Sequence, residues 1–183
     1  MSNVLNFNDF VNESESKSKT IENFPYVINF FSKYYPDKLK SIRNIPVYII
    51  SEEDWPDGKP RQTENDRNGG IRIHQNHVEY DKNVGWLIHE VGHVLDLNGE
   101  RKEYLVDKKK FNHYPNEDDE QTPMFYQFHY LIDNGLSEDD VIKLEKSDYS
   151  NIKGGGTLWN AYKEEFFREY YRNFKSLILN KNY

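Results

Sequence analysis

Apolar and polar positions along the chain follow two spacings, and each spacing marks a different kind of element. Residues 21–35 place Phe24, Val27, Ile28, Phe31 and Tyr35 on one helical face, and Pro36 closes that segment. The branched run Ile45–Ile50, with a proline near its start, predicts a strand. Asp, Gly, Pro and Asn dominate Glu52–Gly70 and predict a loop. Asn68-Gly69-Gly70 then turns the chain into Ile71–Gln75, whose alternation predicts a half-exposed strand. A helix is predicted over Val84–Leu97, stopped by Asn98-Gly99. Helical patches follow at 101–112, 123–134 and 137–146, the last opened by Ser137 with Asp140 three residues on. Gly154-Gly155-Gly156 breaks the chain before a final helix over 157–179. Early strands followed by helices predict an α+β domain with a small mixed sheet and a helical C-terminal half.

The first 20 residues stand apart. Val4, Phe7 and Val11 have helical spacing, but Glu13–Thr20 is too polar to be buried. Residues 1–20 therefore read as a flexible tail or an address peptide, and 21–183 as the folded domain. A short amphipathic piece ending in glutamate resembles the capsid-targeting peptides of some tailed phages.

Composition narrows the function. The chain is hydrophilic, with a mean hydropathy of −0.95, yet aromatic residues make up 15% of its 183 positions. Val, Ile, Leu and Phe add up to about a quarter, above the one-fifth or so typical of disordered chains, so a lean core is expected. The net charge of −7 argues against nucleic acid as a partner, because neutralising phosphates needs a basic face. No apolar run is long enough for a membrane span, and the first 20 residues have no signal-peptide pattern. A cytoplasmic or virion-packaged protein is expected, and delivery as an effector stays compatible. With no cysteine, histidine and carboxylate are the side chains left to bind a metal such as zinc.

His89-Glu90-Val91-Gly92-His93 carries the chemistry. Positions four apart share a helix face, so His89 and His93 can both aim a ring nitrogen at one Zn²⁺. Glu90 lies beside them, placed to take a proton from water activated by that ion. This is the metallopeptidase pattern, and at this content of His and Glu it arises by chance in roughly 2% of chains. Leu87, Val91, Val94 and Leu95 form the buried stripe of the same helix, and Gly92 lets a neighbouring backbone approach.

A catalytic zinc needs a third protein ligand. Asp96 and Gly99 stand where the metzincin pattern needs glycine and histidine, which excludes that class. Glu100 is a weak candidate, and His74, His77, His113 and His129 sit in unrelated contexts. The final helix offers Glu165 and Glu169, flanking a stripe of Trp159, Tyr162, Phe166, Tyr170, Phe174 and Leu177. Glu164 points away, toward Arg168 one turn on. Spacing alone leaves Glu165 and Glu169 open.

His89-Glu-Val-Gly-His-Val-Leu-Asp96 followed by Glu165-Phe-Phe-Arg-Glu169-Tyr-Tyr171 resembles the anthrax lethal-factor-like zinc peptidases, which include the Pro-Pro endopeptidases. The resemblance covers about 20 residues. It implies a zincin-like fold, a zinc-dependent endopeptidase acting on a protein or peptide, Glu165 as third ligand and Glu169 as its support. Two departures stand out. Leu158 occupies the place of the family's oxyanion tyrosine, while Tyr162 lies seven residues before Glu169. The segment from His93 to Glu165 is also long for the family, making 101–150 an inserted helical lobe. Ile71–Gln75 is a candidate edge strand for an extended substrate. The alternative is a zincin-fold protein that binds without cleaving, such as a virion component.

Overall fold

The branched run after Ile45 forms a strand as expected, but its neighbours come from segments that hydropathy alone does not mark. A computed structural model of the chain describes residues 17–55, 63–66, 69–100, 102, 105–106, 120–151 and 161–180. Its sheet contains β1 (Lys17–Thr20), β2 (Pro46–Ile50), β3 (Thr63–Asp66) and β4 (Gly70–His74), in the order β1-β2-β4-β3. β1 is antiparallel to β2, β2 is parallel to β4, and β3 is antiparallel to β4. The fold is α+β with a mixed sheet.

Three expectations change here. Residues 17–20, read as the end of a tail, are an edge strand; residues 1–16, with their proposed address peptide, lie outside the described ones. Ile71–Gln75, read as a half-exposed edge, is an inner strand with Gly70, Ile71, Ile73 and His74 all buried. β3 covers its far side, and β3 comes from the segment expected to be loop.

The helices follow the pattern more closely. The expected helix at 21–35 becomes a short 3₁₀ turn and then α1 (Pro25–Tyr34), with Val27, Phe30 and Phe31 buried. α2 (Leu39–Ile42) leads into β2. The expected helix at 84–97 forms as α4 (Trp86–Leu97), and Gly85, whose φ of 71° is costly for any other residue, separates it from a short α3 (Asp81–Val84). Asp81 secures this joint: its buried carboxylate accepts the Trp86 and Leu87 N–H groups at the start of α4, and the Tyr26 hydroxyl donates to it. Those amides are the donors that a helix start leaves without intrahelical partners.

α5 (Gln121–Asp133), α6 (Glu138–Asn151) and α7 (Ala161–Asn180) build the C-terminal half. Ser137 and Asp140 form the expected reciprocal cap on α6, with Asp140 N donating to Ser137 Oγ and Ser137 N to Asp140 Oδ2, both at 3.2 Å. Residues 102, 105 and 106 are not helical, and most of the expected 101–112 helix lies outside the described residues, as do Lys108–Lys110, His113, Gly154–Gly156, Leu158 and Trp159.

α4 packs on β3 and β4 and most extensively on α5. α7 packs on α5 and α6. On α7, Phe166, Phe167, Tyr170, Tyr171 and Phe174 are buried, and Phe174 meets Phe125 of α5 at 4.9 Å between ring centres. This aromatic wall is part of one core that runs from α1 to α7.

Candidate metal centre

Gly92 sets the position of everything at this site. A Cβ there would lie 2.5 Å from Pro123 Cα and 2.8 Å from Pro123 N, so only glycine lets the first turn of α5 rest on α4. That contact carries Glu120, the residue just before α5, to the two histidines. One ligand atom from each of His89, His93 and Glu120 lies within 4.8 Å of the others, and the group could hold a metal ion. Glu120 Oε2 is 3.2 Å from His89 Nε2, and Glu120 Oε1 is 3.6 Å from His93 Nε2. The side chains of His89 and His93 keep 20% and 18% exposure and Glu120 34%, so the centre is open to solutes.

The donor set suits a cation. His89 Nδ1 sits 3.0 Å from Gln127 Oε1, while Gln127 Nε2 donates to the Val84 carbonyl at 3.1 Å. The Val84 bond orients the amide, so its oxygen faces the ring and Nδ1 carries the proton. Nε2 is thereby turned toward Glu120 and His93. A ligand histidine held by a hydrogen bond at its other nitrogen is the usual support of metal sites.

The electrostatics are those of a carboxylate beside one charged and one neutral ring. Burial alone would lower the pKa of His89, but the Glu120 carboxylate, with Glu90 and Glu145 behind it, lifts it to about 9. Burial, reinforced by the charge on His89, takes His93 down to about 4. Burial would raise Glu120, yet its hydrogen bond to His89 holds it down at about 2. Glu120 is thus a carboxylate paired with a protonated His89, whose Nε2 proton must leave before that nitrogen can bind a metal, while His93 is already a neutral donor.

Comparison with known families, with characterised proteins and with solved structures finds no match for this chain.

Of the sequence-predicted residues, the structure brings His89, Glu90 and His93 together on α4, as the helical spacing requires. Glu90 is buried, and its Oε1 accepts a 3.0 Å hydrogen bond from Thr63 Oγ1 on β3. Glu165, expected as third ligand, is exposed on α7 and is not in the group, whose carboxylate is Glu120. The reason is helical phase. Glu120, Pro123 and Gln127 share the α5 face that looks at α4, whereas Phe125 and His129, which meet α7, lie on the opposite face. α7 is therefore held on the far side of α5. Glu169 also lies on α7, outside the group, and the side chain of Tyr162 lies outside the described ones. Glu164 pairs with Arg168 at 2.9 Å, as its spacing predicts.

The other candidates have structural partners. Glu100 binds Lys38 at 2.6 Å and Lys102 at 2.9 Å and accepts the Tyr126 hydroxyl. His74 lies against Trp55 and accepts the Asn76 N–H, and His129 Nδ1 is 2.6 Å from the Tyr35 hydroxyl inside the aromatic core. Glu120 carries one local signal in the sequence: it is an acid at a helix start, three residues before Pro123, the proline that meets Gly92.

Proposed function

We propose that the chain is a zinc-dependent endopeptidase with a zincin-like domain, in which His89, His93 and Glu120 hold the ion and Glu90 is the general base. The observation that carries this reading is the convergence of Glu120 on the two histidines, with Glu90 on the same helical turn. Two histidines and a carboxylate are a known ligand set for catalytic zinc. When bound, zinc supplies Lewis acidity, polarising a carbonyl and making water a stronger acid. Glu90 takes the proton of the attacking water and delivers it to the departing amine. His89 and His93 stay fixed by α4, and Gln127 keeps His89 in the right tautomer. β3 is the outer strand on this side of the described sheet, beside Glu90, and an extended peptide can pair with it. The edge role expected of Ile71–Gln75 passes to β3 in this reading. The departure from the lethal-factor-like pattern is the source of the third ligand, at the start of α5 instead of the Glu-Phe-Phe helix.

Metal content and cleavage of a diverse peptide library test the proposal together. The wild-type chain should carry one zinc per molecule and cleave. Glu90→Gln should keep the metal and lose cleavage, Glu120→Ala should lose the metal, and Glu165→Ala should keep it. Loss of metal in Glu165→Ala with retention in Glu120→Ala would return the third ligand to α7. A zinc-loaded wild-type chain that cleaves nothing would replace the enzyme with a binding protein.

A further inference from the structure

β3 reads Thr63-Glu-Asn-Asp66 and contributes no large apolar side chain to the core, yet α4 packs directly against it. The described contact between them of chemical interest is the hydrogen bond from Thr63 Oγ1 to Glu90 Oε1, at 3.0 Å. Glu90 keeps only 7% of its surface, so the direction of its carboxylate is set by protein groups more than by bulk water. Thr63 is well suited to set it. Its backbone is fixed by antiparallel pairing opposite Ile73, a fully buried residue of the inner strand β4. Its branched Cβ restricts χ1, so the sheet aims the hydroxyl.

Resting on the peptidase reading, we propose that Thr63 is a positioning residue: it holds one oxygen of the Glu90 carboxylate and thereby fixes the general base relative to His89 and His93. A glutamate has three rotatable bonds, and a base must lie within hydrogen-bond reach of the proton it removes. Anchoring Oε1 to the sheet removes most of that freedom before substrate arrives. Because β3 is also the strand that an extended peptide would join, substrate and base are registered on the same backbone. The role acts on the chemical step, since Thr63 Oγ1 bonds the Glu90 carboxylate while the group that could hold a cation is His89, His93 and Glu120.

The test compares Thr63→Val, which keeps the shape and removes the hydroxyl, with Thr63→Ser, which keeps the hydroxyl. Thr63→Val should retain full zinc content and lose roughly 10- to 100-fold in kcat, the range for loss of one positioned catalytic partner. Its KM should stay within about twofold, and Thr63→Ser should stay within about threefold of wild type in both constants. A double-mutant cycle of Thr63→Val with Glu90→Ala, read in denaturant, should give a coupling of roughly tenfold in the folding equilibrium constant, as for a hydrogen bond to a charged group. Wild-type kcat in Thr63→Val overturns the role while leaving the peptidase reading in place. A loss that Thr63→Ser fails to rescue, or one that falls on KM, also overturns it, because a packing defect behaves that way. A wild-type chain without cleavage removes the peptidase reading, and this role with it, before any variant is made.

Discussion

Replacing Gly92 with alanine is a one-carbon change that separates helix propensity from the seating of α5. An added Cβ would meet Pro123 Cα at 2.5 Å, Pro123 N at 2.8 Å and the Thr122 carbonyl carbon at 3.2 Å. Ordinary carbon contacts begin at about 3.5 Å. These neighbours are backbone atoms, with no flexible side-chain end to swing aside, so the first turn of α5 has to retreat by about 1 Å. Overpacking of this kind costs about 1–3 kcal/mol, and alanine returns about 1 kcal/mol of helix propensity. The balance is a loss of about 1 kcal/mol, or about 2–4 °C in Tm for a chain of this size. The metal should suffer more. Ligand distances tolerate about 0.2 Å, and a 1 Å withdrawal of the residue beside α5's first turn takes Glu120 out of that range. Zinc affinity is expected to fall by at least the roughly 10- to 100-fold seen when the support of a ligand is lost. Thermal melting with chelator, and zinc competition against a chromophoric chelator, measure the two effects separately. A higher Tm with unchanged zinc affinity would refute the seating of α5 on Gly92. A lower Tm with unchanged zinc affinity would refute Glu120 as a ligand.

Two further perturbations probe the supports of α4. Gln127→Leu removes the acceptor at His89 Nδ1 and should weaken zinc about 10- to 100-fold, while Gln127→Glu should keep most of the affinity; equal affinity in Gln127→Leu would dismiss the tautomer role. Asp81 is a buried carboxyl whose pKa rises from 3.8 to about 6, through burial that its hydrogen bonds from Tyr26, Leu87 and Trp86 only partly offset. The folded state therefore holds this proton more tightly than the unfolded one, and the contribution of Asp81 to stability falls as pH rises from about 4 to about 6. Relative to Asp81→Asn, the wild-type chain should lose up to about 3 kcal/mol of unfolding free energy between pH 4 and pH 7. A pH-independent difference in urea titrations would rule this out.

What the sequence discloses depends on how local each feature is. His89 and His93 are four apart on one helix, Leu87, Val91, Val94 and Leu95 are buried as their spacing predicts, and Ser137 caps α6 through Asp140, three residues on. All of these are set within a turn or two. β1 (Lys-Ser-Lys-Thr) and β3 (Thr-Glu-Asn-Asp) carry no apolar alternation, because each is an edge strand whose identity comes from backbone pairing to β2 or β4. Hydropathy has nothing to detect there. Glu120 was hidden for a related reason. Its partnership with His93 is set by how α5 docks, and the Gly92–Pro123 contact that decides the docking looks in the sequence like two unrelated helix-breaking residues. The Glu-Phe-Phe helix drew attention to Glu165 because its aromatic stripe is strong. That stripe does form a wall, but the wall faces the side of α5 away from the histidines.

The two carboxylates also differ in what their helices offer them. Glu165 lies in the interior of α7's first two turns, whereas Glu120 precedes α5, where free N–H groups and the helix dipole favour a negative charge by about 0.3–1 kcal/mol. Two turns further along α5, Gln127 reaches the other nitrogen of the same imidazole. One rigid helix thus holds His89 at both ends of its ring, with Glu120 on Nε2 and Gln127 on Nδ1, and it does so only because Gly92 lets it lie against α4. In the proposed site, ligand geometry and core packing are the same contact. A cation bound there should tighten the α4–α5 interface, and a mutation that loosens that interface should lower metal affinity without touching a proposed ligand.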